Sequence, residues 1–189
     1  SVQANMMASD AVWPAMAAAY SAGLATRDLA DRLLAALVAA QEAGGDFRGE
    51  QSAAILVVDG ATTDHPWEAR IDLRVEDHPD PIGELARLVA LQRAYDLMND
   101  GDAAVAAGDW DRALTAYAGA AAKAPHIVEL PFWHAVALVN GGRIAEALPI
   151  FAEVFRREPR WRDAVGRVAR AGEFPRDDAL ITRIATLDA

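Results

Sequence analysis

The feature that most limits what this chain can fold into is a spacing of 34 residues in its second half. Gly108 and Gly142, Ala113 and Ala147, Tyr117 and Phe151, and Pro125 and Pro159 are each separated by 34 positions. Four coincidences in one register mark a repeated supersecondary unit over roughly Ala94 to Pro159. Glycine and proline punctuate alanine-rich stretches within each unit, and alanine is the strongest helix former. Helical hairpins are therefore expected, with a small residue where helices cross and an aromatic ring one turn later. Two such units are few, because each needs a neighbour to bury its apolar face. A helix from Pro81 should flank the array on one side. A worn pair, Trp161–Ala171 and Arg176–Leu187, should cap the other.

The first half has a different grain. A short helix is expected over Asp10–Tyr20, capped by Ser9 or Asp10, with Pro14 near its first turn. A second helix follows Thr26 as cap, with Asp28 at its positive end and Leu29, Leu33 and Leu37 four apart. Gly44-Gly45 stops it. Gln51–Val58 reads as a strand, so continuously apolar from Ala53 onward that both faces should be buried. Arg70–Val75 alternates instead, with Ile71, Leu73 and Val75 facing one way and Arg70, Asp72 and Arg74 the other. The connection Asp59–Glu68, with Gly60, Asp64 and Pro66, is long for a hairpin. Two strands leave both outer edges unpaired, so further strands are expected from elsewhere. Asp80-Pro81 opens the third helix as a cap followed by proline at the first helical position. A break is expected near Asn99-Asp100-Gly101.

Charge narrows the function. The formal net charge is −10 and Lys123 is the single lysine. Phosphate neutralisation needs clustered Lys and Arg, so nucleic acid is excluded as a partner. A membrane-surface role, which uses a basic amphipathic helix, is excluded for the same reason. The longest strongly apolar run, Ala53–Val58, is the length of a strand and not of a membrane span. There are no cysteines, which removes disulfides, thiol nucleophiles and zinc–thiolate sites together. Ser1–Asn5 lacks the basic and apolar segments of a signal peptide, and a cytoplasmic location is expected.

Three segments carry a resemblance: Gln3-Ala4-Asn5-Met6-Met7, then Gly44 to Ala54, then Asp72 to Pro81. Together they resemble the C-terminal part of the bacterial family called domain of unknown function 1028, grouped with the N-terminal-nucleophile (Ntn) hydrolases. The resemblance covers residues 1–97, with the helical region of residues 98–189 as an attachment. It implies an α+β fold: part of an αββα Ntn-hydrolase-like sandwich with few strands, followed by an all-α helical-hairpin repeat array. The implied activity is hydrolysis of an amide-type bond. The 34-residue period, with its small and aromatic positions, resembles the tetratricopeptide repeat, which implies a docking module for a protein or peptide, or for self-association. Ala4 departs from the family's usual glycine. Phe47 and Glu50 stand where basic residues are common, which removes positive charge from that loop.

Candidate functional residues follow. In an Ntn hydrolase the terminal hydroxyl attacks while the free α-amine acts as base. The resemblance places Ser1 in mid-domain, so Ser1 is expected to be a fragment boundary and no catalytic residue is assigned. Candidate pocket residues are Gln3, Asn5, Asp46, Arg48, Ser52, Asp72, Arg74, Asp77 and His78. Each has a plain structural alternative: backbone satisfaction for Gln3 and Asn5, an Arg48–Asp46 network in the glycine-bounded turn, and salt bridges across the sheet for Asp72 and Arg74. Asp77, His78 and Asp80 offer metal-ligand atoms, but Asp80 is better spent as a helix cap and no second ligand cluster accompanies them. No metal or cofactor is assigned. His65, His126 and His134 stand alone in the sequence. In the helical region Met98, Asp102, Phe132, Val136 and Val139 are the expected concave-face positions for a partner groove. Against that stands packing within the protein. The leading expectation is a hydrolase-like protein with an interaction module; the alternative is a non-catalytic scaffold.

Overall fold

The computed structural model describes residues 1–60 and 69–187. It is mostly helical with one two-stranded sheet, an α+β arrangement. Backbone contacts divide the chain into two compact units, Ser1–Ala90 and Leu91–Ala189.

The first unit opens with α1 (Val12–Ala22) and α2 (Leu29–Glu42). Pro14 lies in the first turn of α1, where its missing N–H costs least. Ser9 does not cap α1 in the expected way. Its hydroxyl accepts from Ala11 N at 3.3 Å and donates to the Ala43 carbonyl at 2.8 Å, tying the entry of α1 to the exit of α2. Asp28, and not Thr26, caps α2, its carboxylate accepting from Asp31 N at 2.9 Å. Arg32 locks the two helices together, its guanidinium 3.9 Å from the centroid of the Tyr20 ring and its Nε donating to the Tyr20 carbonyl.

Strands β1 (Ala53–Val58) and β2 (Ala69–Val75) pair antiparallel, with Ile55 opposite Leu73 and a bulge at Val57/Val58. The expected connection with Asp64, His65 and Pro66 lies outside the described residues. β2 alternates as its sequence requires. β1 corrects the expectation of burial on both faces. Ile55 and Val57 are buried, but Leu56 and Val58 are 61% and 56% exposed. The reason is that the described sheet has helices on one face: its inner residues pack on Ala30, Leu33, Leu34 and Leu37 of α2 and on Leu85, Leu88 and Val89.

Those last three belong to α3 (Pro81–Ala106), which starts as expected, with Asp80 Oδ1 accepting from Gly83 N at 2.8 Å. No break occurs at Asn99-Asp100-Gly101. The helix runs on through Gly101, which is buried against the Tyr117 ring, so tertiary packing overrides the local tendency to stop.

The second unit continues with α4 (Trp110–Lys123), α5 (Glu129–Asn140), α6 (Ile144–Arg157), α7 (Trp161–Ala171) and α8 (Asp178–Ala185). The periodic glycines now have a physical role. Gly108 and Gly142 end α3 and α5 at φ of 74° and 77°, a left-handed turn that side chains resist, and each hands the chain directly to the next helix. Gly172 ends α7 with the same left-handed turn, at φ of 91°. The core is aromatic. Phe132 lies 5.6 Å from Phe151 and 4.8 Å from Trp161 between ring centroids, and Phe151 lies 5.7 Å from Phe155. Arg162 closes the far end by donating to the carbonyls of Ala185 and Leu187 at 3.0 and 2.7 Å, partners those helix-end groups would otherwise lack.

Candidate functional site

In the first unit the three distinctive sequence segments converge on one loop. The first meets the second through a backbone bridge between Met7 and Asp46: Ala8 N donates to the Gly45 carbonyl at 2.9 Å, and Phe47 N to the Met6 carbonyl at 3.0 Å. Met6 sits at φ of 60°, an uncommon setting for a non-glycine residue that this pairing holds in place. The second meets the third through His78 N, which donates to the Gln51 carbonyl at 3.0 Å, and through a longer Gln51 Nε2 to Asp77 contact of 3.4 Å.

The turn itself is built by Asp46. One carboxylate oxygen accepts from the Arg48 backbone N–H and from Arg48 Nε, both at 2.9 Å. The other accepts from the guanidinium at 2.5 Å, completing a two-pronged pair. The Arg48 guanidinium and then its backbone N–H hold the Asp46 carboxyl down to about 2. Gly45 and Gly49 supply the positive φ angles on either side. At Gly45 a Cβ would also fall 2.6 Å from Gln41 Oε1. Gln41 in turn donates to Glu50 at 2.6 Å.

These contacts outline an open cleft of about 670 Å³, lined by Gln41, Asp46, Arg48, Glu50, Gln51, Ser52, Asp77 and the first residues of α3. Three carboxylates against one already-paired arginine make it a poor seat for an anion. Its neutral amides and the Ser52 hydroxyl suit hydrogen bonding to an amide or peptide group. Of the expected residues, Asp46, Arg48, Ser52 and Asp77 come together here. Gln3 and Asn5 are exposed and do not line the cleft; their segment contributes backbone through Met6 and Met7. Asp72 and Arg74 lie on the exposed face of β2, where Arg74 pairs with Glu76 at 3.7 Å and not with Asp72. His78 is held by the Asp80 backbone, its Nδ1 lying 3.0 Å from Asp80 N and 2.8 Å from the Asp80 carbonyl. Gln41, Glu50 and Gln51 line the cleft without having been among the expected pocket residues.

The second unit carries a cleft of about 580 Å³. Met98, Val105, Trp133 and Val136 line it with apolar surface, and Asp102, Glu129 and Glu173 with carboxylates. Met98, Asp102 and Val136 are brought together as expected. Phe132 and Val139 do not line the cleft: at 0% and 3% exposure they pack in the aromatic core, and Val136, itself 4% exposed, borders both that core and the cleft. Tyr117 donates to Asp102 at 2.5 Å and Tyr95 to Glu129 at 3.0 Å, so two of the carboxylates are held in position by phenols. Burial and the facing carboxylate raise the pKa of both tyrosines, which therefore stay protonated donors. Tyr95, Glu129 and Trp133 had no place in the sequence-based groove.

Among the described residues no group of three or more His, Asp or Glu side chains is arranged to hold a metal ion, and no helix is long and apolar enough to cross a membrane. No curated protein and no solved structure matches the chain. Residues 1–85, which include all three converging segments and the polar cleft they enclose, match the family of unknown function DUF1028.

Proposed function

We propose that the first unit is the substrate-binding portion of an Ntn-hydrolase-like domain acting on an amide-type bond. The second unit is then a tetratricopeptide-type module that docks a protein or peptide in the cytoplasm. The observation that carries this reading is the convergence of three segments, distant in sequence, on one polar cleft: Met7 against Asp46, and Gln51 against His78. A purely structural loop has no need to gather Gln41, Gln51, Ser52 and Asp77 around open space. For the second unit, support comes from glycines 34 residues apart that turn one helix into the next with the same backbone angle.

A second reading, a non-catalytic scaffold, is favoured by a specific observation. Asp46 and Arg48 are spent on each other, and His78 Nδ1 is engaged by the Asp80 backbone, so the cleft assembles no activated nucleophile from these groups. One experiment separates the readings. The protein is titrated with N-acyl amino-acid amides, followed by amide NMR shifts and by release of amine. Shifts at Gln41, Ser52 and Asp77 that vanish in Ser52→Ala, together with amine release, support the hydrolase reading. Shifts without amine release leave a cleft that binds the amide but has no nucleophile of its own within this chain. No shifts at these residues remove the cleft from either role.

A further inference from the structure

We propose that the cleft of the second unit binds a cationic peptide segment, one that places a Lys or Arg side chain between Trp133 and the carboxylates of Asp102, Glu129 and Glu173. The inference rests on reading the helical unit as a docking module and adds the chemistry of its partner. Charge complementarity selects that partner. Three carboxylates line the cleft, and no Lys or Arg is among its lining residues. Asp102 and Glu129 are already oriented by Tyr117 and Tyr95, yet those phenols are neutral, so both negative charges remain to be met. The Glu173 backbone carbonyl is fixed by Asn140 Nδ2 at 3.0 Å, which leaves its carboxylate uncommitted. Met98 and Val105, both half-buried, supply apolar surface for the methylene stem of a long basic side chain, and the Trp133 ring supplies a face for its cation. An acidic or phosphorylated segment would meet three like charges and be rejected.

The test is calorimetric titration of the whole chain with a twelve-residue peptide alternating Arg and Leu, and with its Glu–Leu counterpart. Asp102→Asn and Glu173→Gln are combined in one variant. The asparagine still offers Tyr117 an acceptor and Asn140 keeps its backbone partner, so the fold's hydrogen bonds survive. Binding of the basic peptide, weakened about tenfold in this variant and falling as salt rises, is the expected result. A control with the same net charge, Asp100→Asn with Asp178→Asn, should bind like the parent. Equal weakening in the control would overturn the proposal by showing mere attraction to an acidic protein. Preference for the Glu–Leu peptide in the same cleft would overturn the cationic assignment while leaving the docking role intact. If neither peptide binds at millimolar concentration, the cationic assignment is overturned, while the docking reading itself is not touched by that result.

Discussion

Tyr117 occupies the space that a side chain on Gly101 would need. A Cβ built on Gly101 would lie 2.9 Å from both Cε1 and Cζ of the ring, while the hydroxyl donates to the neighbouring Asp102 at 2.5 Å. The glycine in mid-α3 is therefore a packing device between α3 and α4, not a helix stop. On an open helix Gly101→Ala would gain up to about 1 kcal/mol. Here the ring must move, and a net loss of about 1–2 kcal/mol is expected from overpacking. Urea unfolding of Gly101→Ala checks the loss. The same substitution made in a Tyr117→Ala background should be neutral or stabilising, because the obstacle is gone. A loss of the same size in both backgrounds would show that the ring is not the cause.

Phe132 was expected in a partner groove and is instead the centre of the aromatic core, touching Trp133, Phe151 and Trp161 at 0% exposure. Phe132→Ala should cost about 3–5 kcal/mol, the range for emptying a fully buried aromatic site. Trp133→Ala, at the half-buried cleft wall, should cost clearly less. A denaturant series comparing the two midpoints decides the matter. Equal midpoints would return Phe132 to the surface.

Asp46 sets a pH dependence for the loop of the first unit. Its carboxyl is lowered from an ordinary 3.8 to about 2, first by the Arg48 side chain and then by the Arg48 backbone N–H. Because the folded value lies below the unfolded one, the fold favours the ionised form. The contribution is fully present above the unfolded value of about 4 and is lost as pH falls towards 2. Both groups face solvent, so the readout should be local. An NMR titration of the Asp46 carboxyl carbon should give a midpoint near 2, and Arg48→Ala should raise it without restoring it fully, since the backbone donor at position 48 remains. A midpoint near 4 in the parent would mean that the Arg48–Asp46 fork does not persist in solution.

What the sequence made legible was mainly periodic or terminal. The glycines at 108 and 142 had to mark equivalent turns, because nothing else explains the same residue at the same offset beside matched aromatics. Asp80-Pro81 had to start a helix, since proline there loses nothing and aspartate can cap. The groove was half legible for a geometric reason. Met98 and Asp102 lie on the open side, whereas Phe132, Val136 and Val139 share one buried stripe of α5 of which only Val136, at 4% exposure, borders the cleft, and hydropathy does not tell the border from the centre of that stripe. The polar cleft depends on backbone pairs between residues 39 and 27 positions apart (Met7 with Asp46, Gln51 with His78), and no local pattern encodes such pairings.

β1 offers the sharpest contest between the two lines of reasoning. Its run Ala53–Val58 carries no polar residue, so sequence alone buries both faces. In the structure Ile55 is 3% exposed and Leu56 is 61% exposed, one residue apart on opposite faces. Threonine keeps strand propensity while removing apolar surface, which makes it the right probe for each face. Leu56→Thr should shift stability by no more than about 0.5 kcal/mol, as for a surface site. Ile55→Thr removes packing against α2 and α3 and buries a hydroxyl, so about 2–4 kcal/mol should be lost. Paired denaturation curves of the two variants measure the difference directly. If Leu56→Thr cost as much as Ile55→Thr, the outer face of the sheet would be covered in the protein as it exists in solution, and the expectation of a doubly buried strand would be restored.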